Sequence, residues 1–174
     1  MNLYNLPQNQ NWPLIVNSVI EIPKGTSAKY EYDNELGAFM YDRSLLSAMT
    51  YPASYGFIPQ TMTDDGDALD VLVYNSIPIE RGTVVETKVI GLLDMDDEHG
   101  GEMVKDYKIL GVPTSHVREY NSLKDIDPLF LKICKNFFMH YKDLNDKKVN
   151  IEEWQEKEAA IEVIKSSLVP WKSS

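Results

Sequence analysis

The sequence predicts an α+β domain in which several short strands form a compact sheet or barrel and two helices follow. Three features of the chain carry that expectation. Side chains alternate with a two-residue period through much of the first two-thirds. Glycine and proline punctuate these runs at Gly25, Gly37, Pro52, Gly66, Pro78, Gly82 and Pro113. The final third changes to a helical period.

Taken in order, Ala28 to Asp33 places Lys29, Glu31 and Asp33 on one strand face and Tyr30 and Tyr32 on the other. Phe39 to Arg43 puts Phe39, Tyr41 and Arg43 together. Leu69 to Tyr74 holds the run Val71-Leu72-Val73, suited to a buried strand, while Thr83 to Leu93 and Lys108 to Val112 read as further strands. Asp127 and Pro128 form a good helix start, because proline has no N–H to leave unpaired at the first position. Leu129, Ile133, Phe137 and Tyr141 then recur at helical spacing, with Phe130, Cys134 and Phe138 widening the stripe. A second helix is expected from Asn150, with Glu153 placed for a capping box and Ile151, Trp154, Ile161, Ile164 and Leu168 on its apolar face.

The 174 residues fit one domain, 1–174, and 43% hydrophobic with 25% charged residues is a globular balance. Cys134 is the single cysteine, so no internal disulfide is possible and nothing points to an oxidising compartment. The start lacks a secretory pattern, and no apolar run approaches the ~18 residues of a membrane span. A cytoplasmic location without membrane partners is the expectation. The net charge of −10 and pI near 4.7 would repel phosphate backbones, which argues against nucleic acid as a partner.

The acidity is concentrated. Asp64, Asp65, Asp67 and Asp70 crowd one stretch; Asp94, Asp96, Asp97, Glu98, Glu102 and Asp106 crowd another. Gly66 permits a tight turn in which Asp65 and Asp67 converge, and Asp70 stands at the mouth of an apolar strand. A carboxylate there is costly to desolvate without a compensating cation, and magnesium, with its preference for hard oxygen ligands, is a natural one. The same segment reads equally as a solvated acidic turn. An EF-hand fails on spacing, since Thr61, Thr63 and Leu72 would fall where acids are required. Asp94 to Asp106 alone reads as a charged hairpin loop, with Glu98 to Lys105 at its tip. Arg43, in an aromatic-rich strand, needs an acceptor or an anion. His99, His116 and His140 show no ligand spacing and read as surface or structural, and Cys134 reads as core.

Together these residues resemble the soluble family I inorganic pyrophosphatases. That family's signature has the form D-x-D-P-x-D before an apolar strand; here it is Asp65-Gly66-Asp67-Ala68-Leu69-Asp70, with Ala68 in the place of proline. Around it stand, in order, Glu21-Ile22-Pro23, Lys29-Tyr30-Glu31, Asp42-Arg43, Tyr51-Pro52, Tyr55-Gly56 and His140-Tyr141-Lys142-Asp143. The resemblance implies a small five-stranded OB-like β-barrel with flanking C-terminal helices. It implies hydrolysis of pyrophosphate with Mg2+ as cofactor, Mn2+ as a possible substitute, and a homohexamer. It also implies roles: Asp65, Asp70 and Asp106 as ligands of the metals that hold the attacking water, and Asp67 as its general base. Asp97, Glu21 and Glu31 would serve additional metal ions, and Lys29, Arg43, Tyr55, Lys108, Tyr141 and Lys142 would bind phosphate oxygens. The alternatives are a non-enzymatic divalent-metal-binding module, an oligonucleotide-binding barrel, and a phosphohydrolase acting on nucleotides.

Overall fold

Val19, Ile20 and Ile22 of strand β1 (Ile15–Ile22) have no access to solvent because their side chains pack into apolar clusters on the faces of the sheet, while other strands hydrogen-bond along the edges of β1. The computed structural model describes residues 2–116, 118–145 and 147–169. After β1 come a hairpin, β2 (Ala28–Asp33) and β3 (Ala38–Ser44), and the short strands β4 (Ser54–Phe57) and β5 (Asp70–Val73). A 16-residue strand, β6 (Val84–His99), leads into β7 (Glu102–Lys105) and β8 (Lys108–Pro113). Helix α1 (Pro128–His140), strand β9 (Val149–Glu156) and helix α2 (Lys157–Ser166) complete the order.

Hydrogen bonding runs β1-β4-β5-β8-β6, and β6 returns to β1. The five strands therefore close on themselves, which leaves the ring no free edge. Only β5 and β8 run parallel among these pairings. The long β6 also carries β7 and β9, while β2 and β3 pair apart from the ring. The Val71-Leu72-Val73 run is continuous because both of its faces are covered. Leu72 packs into the cluster beneath α1, and Val71 and Val73 pack with Ala160 and Ile164 of α2.

The start of α1 matches the sequence expectation. Asp127 Oδ1 accepts from the Leu129 amide at 2.9 Å, and Pro128 is the first helical residue. Its apolar face differs: Leu129 and Ile133 are 62% and 47% exposed, while Phe130, Cys134, Phe137 and Phe138 are buried. The apolar arc is wider than the contact, and the sheet selects one half of it.

The segment expected to begin the second helix is instead β9, and helix starts only at Lys157. The reason is an irregularity in pairing: Leu93 lies opposite Trp154, but Met95 lies opposite Ile151. Two residues on β6 thus match three on β9, so apolar residues three apart reach one sheet face and imitate a helical period. The acidic stretch also differs, since β6 runs through it to His99 and the turn is only Gly100 and Gly101. Strands β1 and β4, the latter carrying Tyr55, show no clear alternation and are absent from the expectation.

Ring closure needs close backbone approach at Gly56. A Cβ there would lie 1.8 Å from the Val19 carbonyl oxygen on β1. Gly56→Ala is expected to destabilise the fold by ~3 kcal/mol; an unchanged urea midpoint would show that the β1–β4 contact relaxes freely.

Candidate active site

The aspartate loop is built from short local bonds. Gly66 adopts φ +90°, which an L side chain would resist. The Thr63 amide bonds to the Asp67 carbonyl at 2.8 Å and the Gly66 amide to the Thr63 carbonyl at 3.0 Å. Asp65 Oδ1 accepts from the Thr63 hydroxyl at 2.5 Å and from the Asp67 amide at 3.1 Å. Asp65 is thereby oriented, and Asp67 is turned to the same cavity. Partial burial, together with the charges of Asp65 and Glu31, raises the Asp67 carboxyl above its ordinary range.

Lys108 lies at the floor. In the parallel β5–β8 pair it is the register partner of Asp70, and Asp106 is two residues before it. Its Nζ donates to Asp70 Oδ2 and Asp106 Oδ1, both at 2.5 Å, and to the Tyr55 hydroxyl at 3.2 Å. Only 3% of the Lys108 side chain is exposed. Burial by itself would drive the ammonium toward neutrality, but Asp106 and Asp70 outweigh it and hold the group charged. Asp70 pays for its own burial: loss of water raises it to about 6 against the opposing pull of Lys108. Burial likewise keeps the Tyr55 and Tyr141 hydroxyls protonated, as donors rather than anions.

The walls come from both ends of the chain. Glu21 on β1 is 8% exposed and accepts from the Tyr32 amide at 2.7 Å. Burial pushes it up to about 8, with that hydrogen bond opposing and Asp70 and Glu31 adding to the rise. On the hairpin, Lys29 contacts Glu31 and lies 3.2 Å from Asp42, which Arg43 meets at 2.6 Å. Simple alternation puts Arg43 with Tyr41 and Phe39, but the register shifts there, and Arg43 lies opposite Lys29. Past the end of α1, Lys142 pairs with Asp97 Oδ2.

These groups surround one cavity of about 350 Å³. All thirteen side chains expected from the sequence line it: Glu21, Lys29, Glu31, Arg43, Tyr55, Asp65, Asp67, Asp70, Asp97, Asp106, Lys108, Tyr141 and Lys142. Glu102, in the same acidic stretch as Asp106, does not. Sequence reasoning missed Tyr4, Lys147 and His99. His99 is exposed, as expected, yet β6 carries it to the cavity wall. Nothing in their spacing signalled these three: Tyr4 is placed by the N-terminal segment, His99 by the end of β6 and Lys147 by the connection before β9.

The donor chemistry fits a hard divalent cation. Seven carboxyl groups line the cavity against five lysine and arginine side chains, and Asp97 Oδ1 is buried without a hydrogen-bond partner. Such an atom is costly to bury unless it meets a donor or a cation. Among the described residues no three acidic, histidine or cysteine groups already form a closed coordination shell. At Asp70 and Asp106 the Lys108 ammonium supplies the positive charge instead. An open, part-aqueous arrangement is the usual one for magnesium, which keeps several waters.

Comparison with known proteins points to one family. The inorganic pyrophosphatase family profile matches residues 18–172. The inorganic pyrophosphatase of Rhodospirillum rubrum is 42% identical over 174 residues, covering 97% of this chain and 95% of the relative. That of Thermus thermophilus is 40% identical over 176 residues, covering 98% of each. The crystal structure of the inorganic pyrophosphatase from Thermus thermophilus superposes with a TM-score of 0.90 at 38% identity, covering 96% of this chain and 97% of that one. With the closed five-strand ring, its two helices and the acid-lined cavity all in place, the chain belongs to the family I inorganic pyrophosphatases, enzymes that hydrolyse inorganic pyrophosphate.

Proposed function

We propose that this chain, as one domain, splits pyrophosphate by metal-assisted attack of water, with Asp67 as the general base. The observation that supports this reading is the convergence of thirteen side chains, distant in sequence, on one cavity of alternating charge. Asp65, Asp70 and Asp106 are the proposed ligands of the resident metals, and Asp97, Glu21 and Glu31 serve those arriving with substrate. Mg2+ is the proposed ion, with Mn2+ as a substitute. When bound, the ions neutralise phosphate oxygens and make water more acidic. Asp67 accepts the proton of the attacking water, a task its raised carboxyl suits better than an ordinary aspartate would. Lys29, Arg43, Lys108 and Lys142 balance charge on the phosphates. Tyr55 and Tyr141 donate hydrogen bonds without adding charge. The family resemblance extends the reading to a cytoplasmic homohexamer. No helix among the described residues is long and apolar enough to cross a membrane.

Phosphate release from pyrophosphate, with and without magnesium, tests the reading directly. Asp67→Asn is expected to lower turnover roughly 10²–10⁴-fold while retaining metal binding by calorimetry; full turnover would remove Asp67 as base. Metal binding without any phosphate release in the unaltered protein would leave only a binding module.

The state of Glu21 makes a prediction for the metal-free protein. Folded, it holds its proton to about pH 8; unfolded, it ionises near its ordinary 4.5. Between these values the unfolded chain binds fewer protons, so stability falls as pH rises. Glu21→Gln in chelator is expected to flatten that fall, measured by urea midpoints across the window. An identical slope would place Glu21 elsewhere than in a dry site. Sedimentation as a single protomer mass at micromolar concentration would refute the hexamer.

A further inference from the structure

The N-terminal segment contributes a wall to the cavity that the reaction described above does not use. A short 3-10 turn, Leu3–Asn5, lies against β2 and β4 and is tied on both sides. The Leu3 amide donates to the Tyr32 hydroxyl at 3.1 Å, the Tyr4 hydroxyl donates to the Tyr32 carbonyl at 3.2 Å, and the Gln60 amide donates to the Tyr4 carbonyl at 2.9 Å. The Tyr4 ring meets Phe57 at 4.6 Å and Tyr32 edge-on at 5.4 Å between centroids. Val19, Tyr32, Phe57 and Ala68 form one buried cluster, and Tyr4 packs against it.

Ala68 is the residue after Asp67. It is 6% exposed, and Tyr4, Asp67 and Ala68 line both the main cavity and a smaller one beside it. The opposite side of the aspartate loop is held by the Thr63–Asp67 backbone bond and the Asp65 carboxylate. On the Ala68 side, no hydrogen bond from its amide exists among the described residues. The Leu69 amide beyond it donates to the Thr61 hydroxyl at 2.9 Å, so Ala68 itself is held through its neighbours and by packing. Alanine leaves the backbone freer than a proline ring would.

We propose that Tyr4 is a positioning residue: its ring, braced by Tyr32 and Phe57, presses on Ala68 and holds Asp67 at the angle from which it meets the attacking water. This rests on Asp67 acting as base. The same fit that locates the wall also brings the Tyr4 phenol within the field of Glu21 and Asp67, so burial and those carboxylates keep it protonated. Tyr4 thus contributes shape without adding charge beside the base.

Rescue distinguishes positioning from bulk stability. Ala68 is not among the residues of positive φ and its amide bonds to none of the described residues, so proline there removes no hydrogen bond and can supply covalently what the ring supplies by contact. Tyr4→Ala is expected to lower kcat roughly tenfold, with KM and calorimetric magnesium affinity within about twofold, since small misplacements of a reacting group are costly. Adding Ala68→Pro is expected to restore most of that turnover, and Tyr4→Phe to keep at least about half of it. In an Asp67→Asn background, Tyr4→Ala is expected to cost nothing further, because the two changes remove one function. Unchanged kcat in Tyr4→Ala, or a loss that neither proline nor phenylalanine recovers, would overturn the proposal. A further loss in the Asp67→Asn background would overturn it too. Full turnover of Asp67→Asn alone would instead refute the base. Should Tyr4→Ala fail to fold, Tyr4→Leu, judged by the same kcat split and the same proline rescue, decides the matter.

Discussion

One buried ammonium organises this molecule. Lys108 reaches Asp70 and Asp106 at 2.5 Å each and the Tyr55 hydroxyl at 3.2 Å, with almost none of its side chain in water. A lone charge so placed would be driven neutral; a lone carboxylate opposite it would be as costly. Each therefore requires the other, and both require the parallel register that sets Lys108 beside Asp70. That register lies within the five-strand ring, which closes through β1 and β6. The site and the fold are thus one constraint met twice: the ring brings the charges together, and the paired charges tolerate the burial that the ring imposes.

Around this floor the cavity carries more carboxyl groups than basic ones. Such a cavity has a net attraction for cations and a net repulsion for a polyanion. The raised Asp70 and Glu21, at about 6 and about 8, report the same imbalance, since both are held out of water among other acids. Divalent cations would relieve the repulsion and convert the cavity from one that excludes pyrophosphate to one that holds it. The orphaned oxygen of Asp97 points the same way. The basic groups at the rim, Lys29, Arg43 and Lys142, are each already paired with an acid. Their hold on an incoming phosphate is an exchange of partners and not a simple gain.

The chemistry was legible because it depends on residue type and order. Asp65, Asp67 and Asp70 around Gly66 are read from a local pattern, and the turn forms from bonds inside that pattern. The helix start at Asp127-Pro128 is local for the same reason. What misled were spacings altered by pairing with distant strands. Ile151 and Trp154 read as helix because an extra residue in β9 brings them to one face. Arg43 read with the aromatics because the bulge opposite Lys29 is invisible along one strand. Leu129 and Ile133 read as core because periodicity defines an apolar arc but not its contact.

By itself the sequence determined the fold class, the family, the identity of the thirteen cavity residues and the turn that joins the first two aspartates. The fold class and the turn follow from side-chain periodicity and from bonds within a few residues, whereas the family and the cavity residues follow from the resemblance carried by the ordered motifs. Only the tertiary structure decided the closure of the ring and the Lys108 bridge. It also decided which half of α1 is buried, and it brought His99, Lys147 and Tyr4 to the cavity. Each of these depends on a register or a contact between segments far apart along the chain, and no local period encodes such a partner.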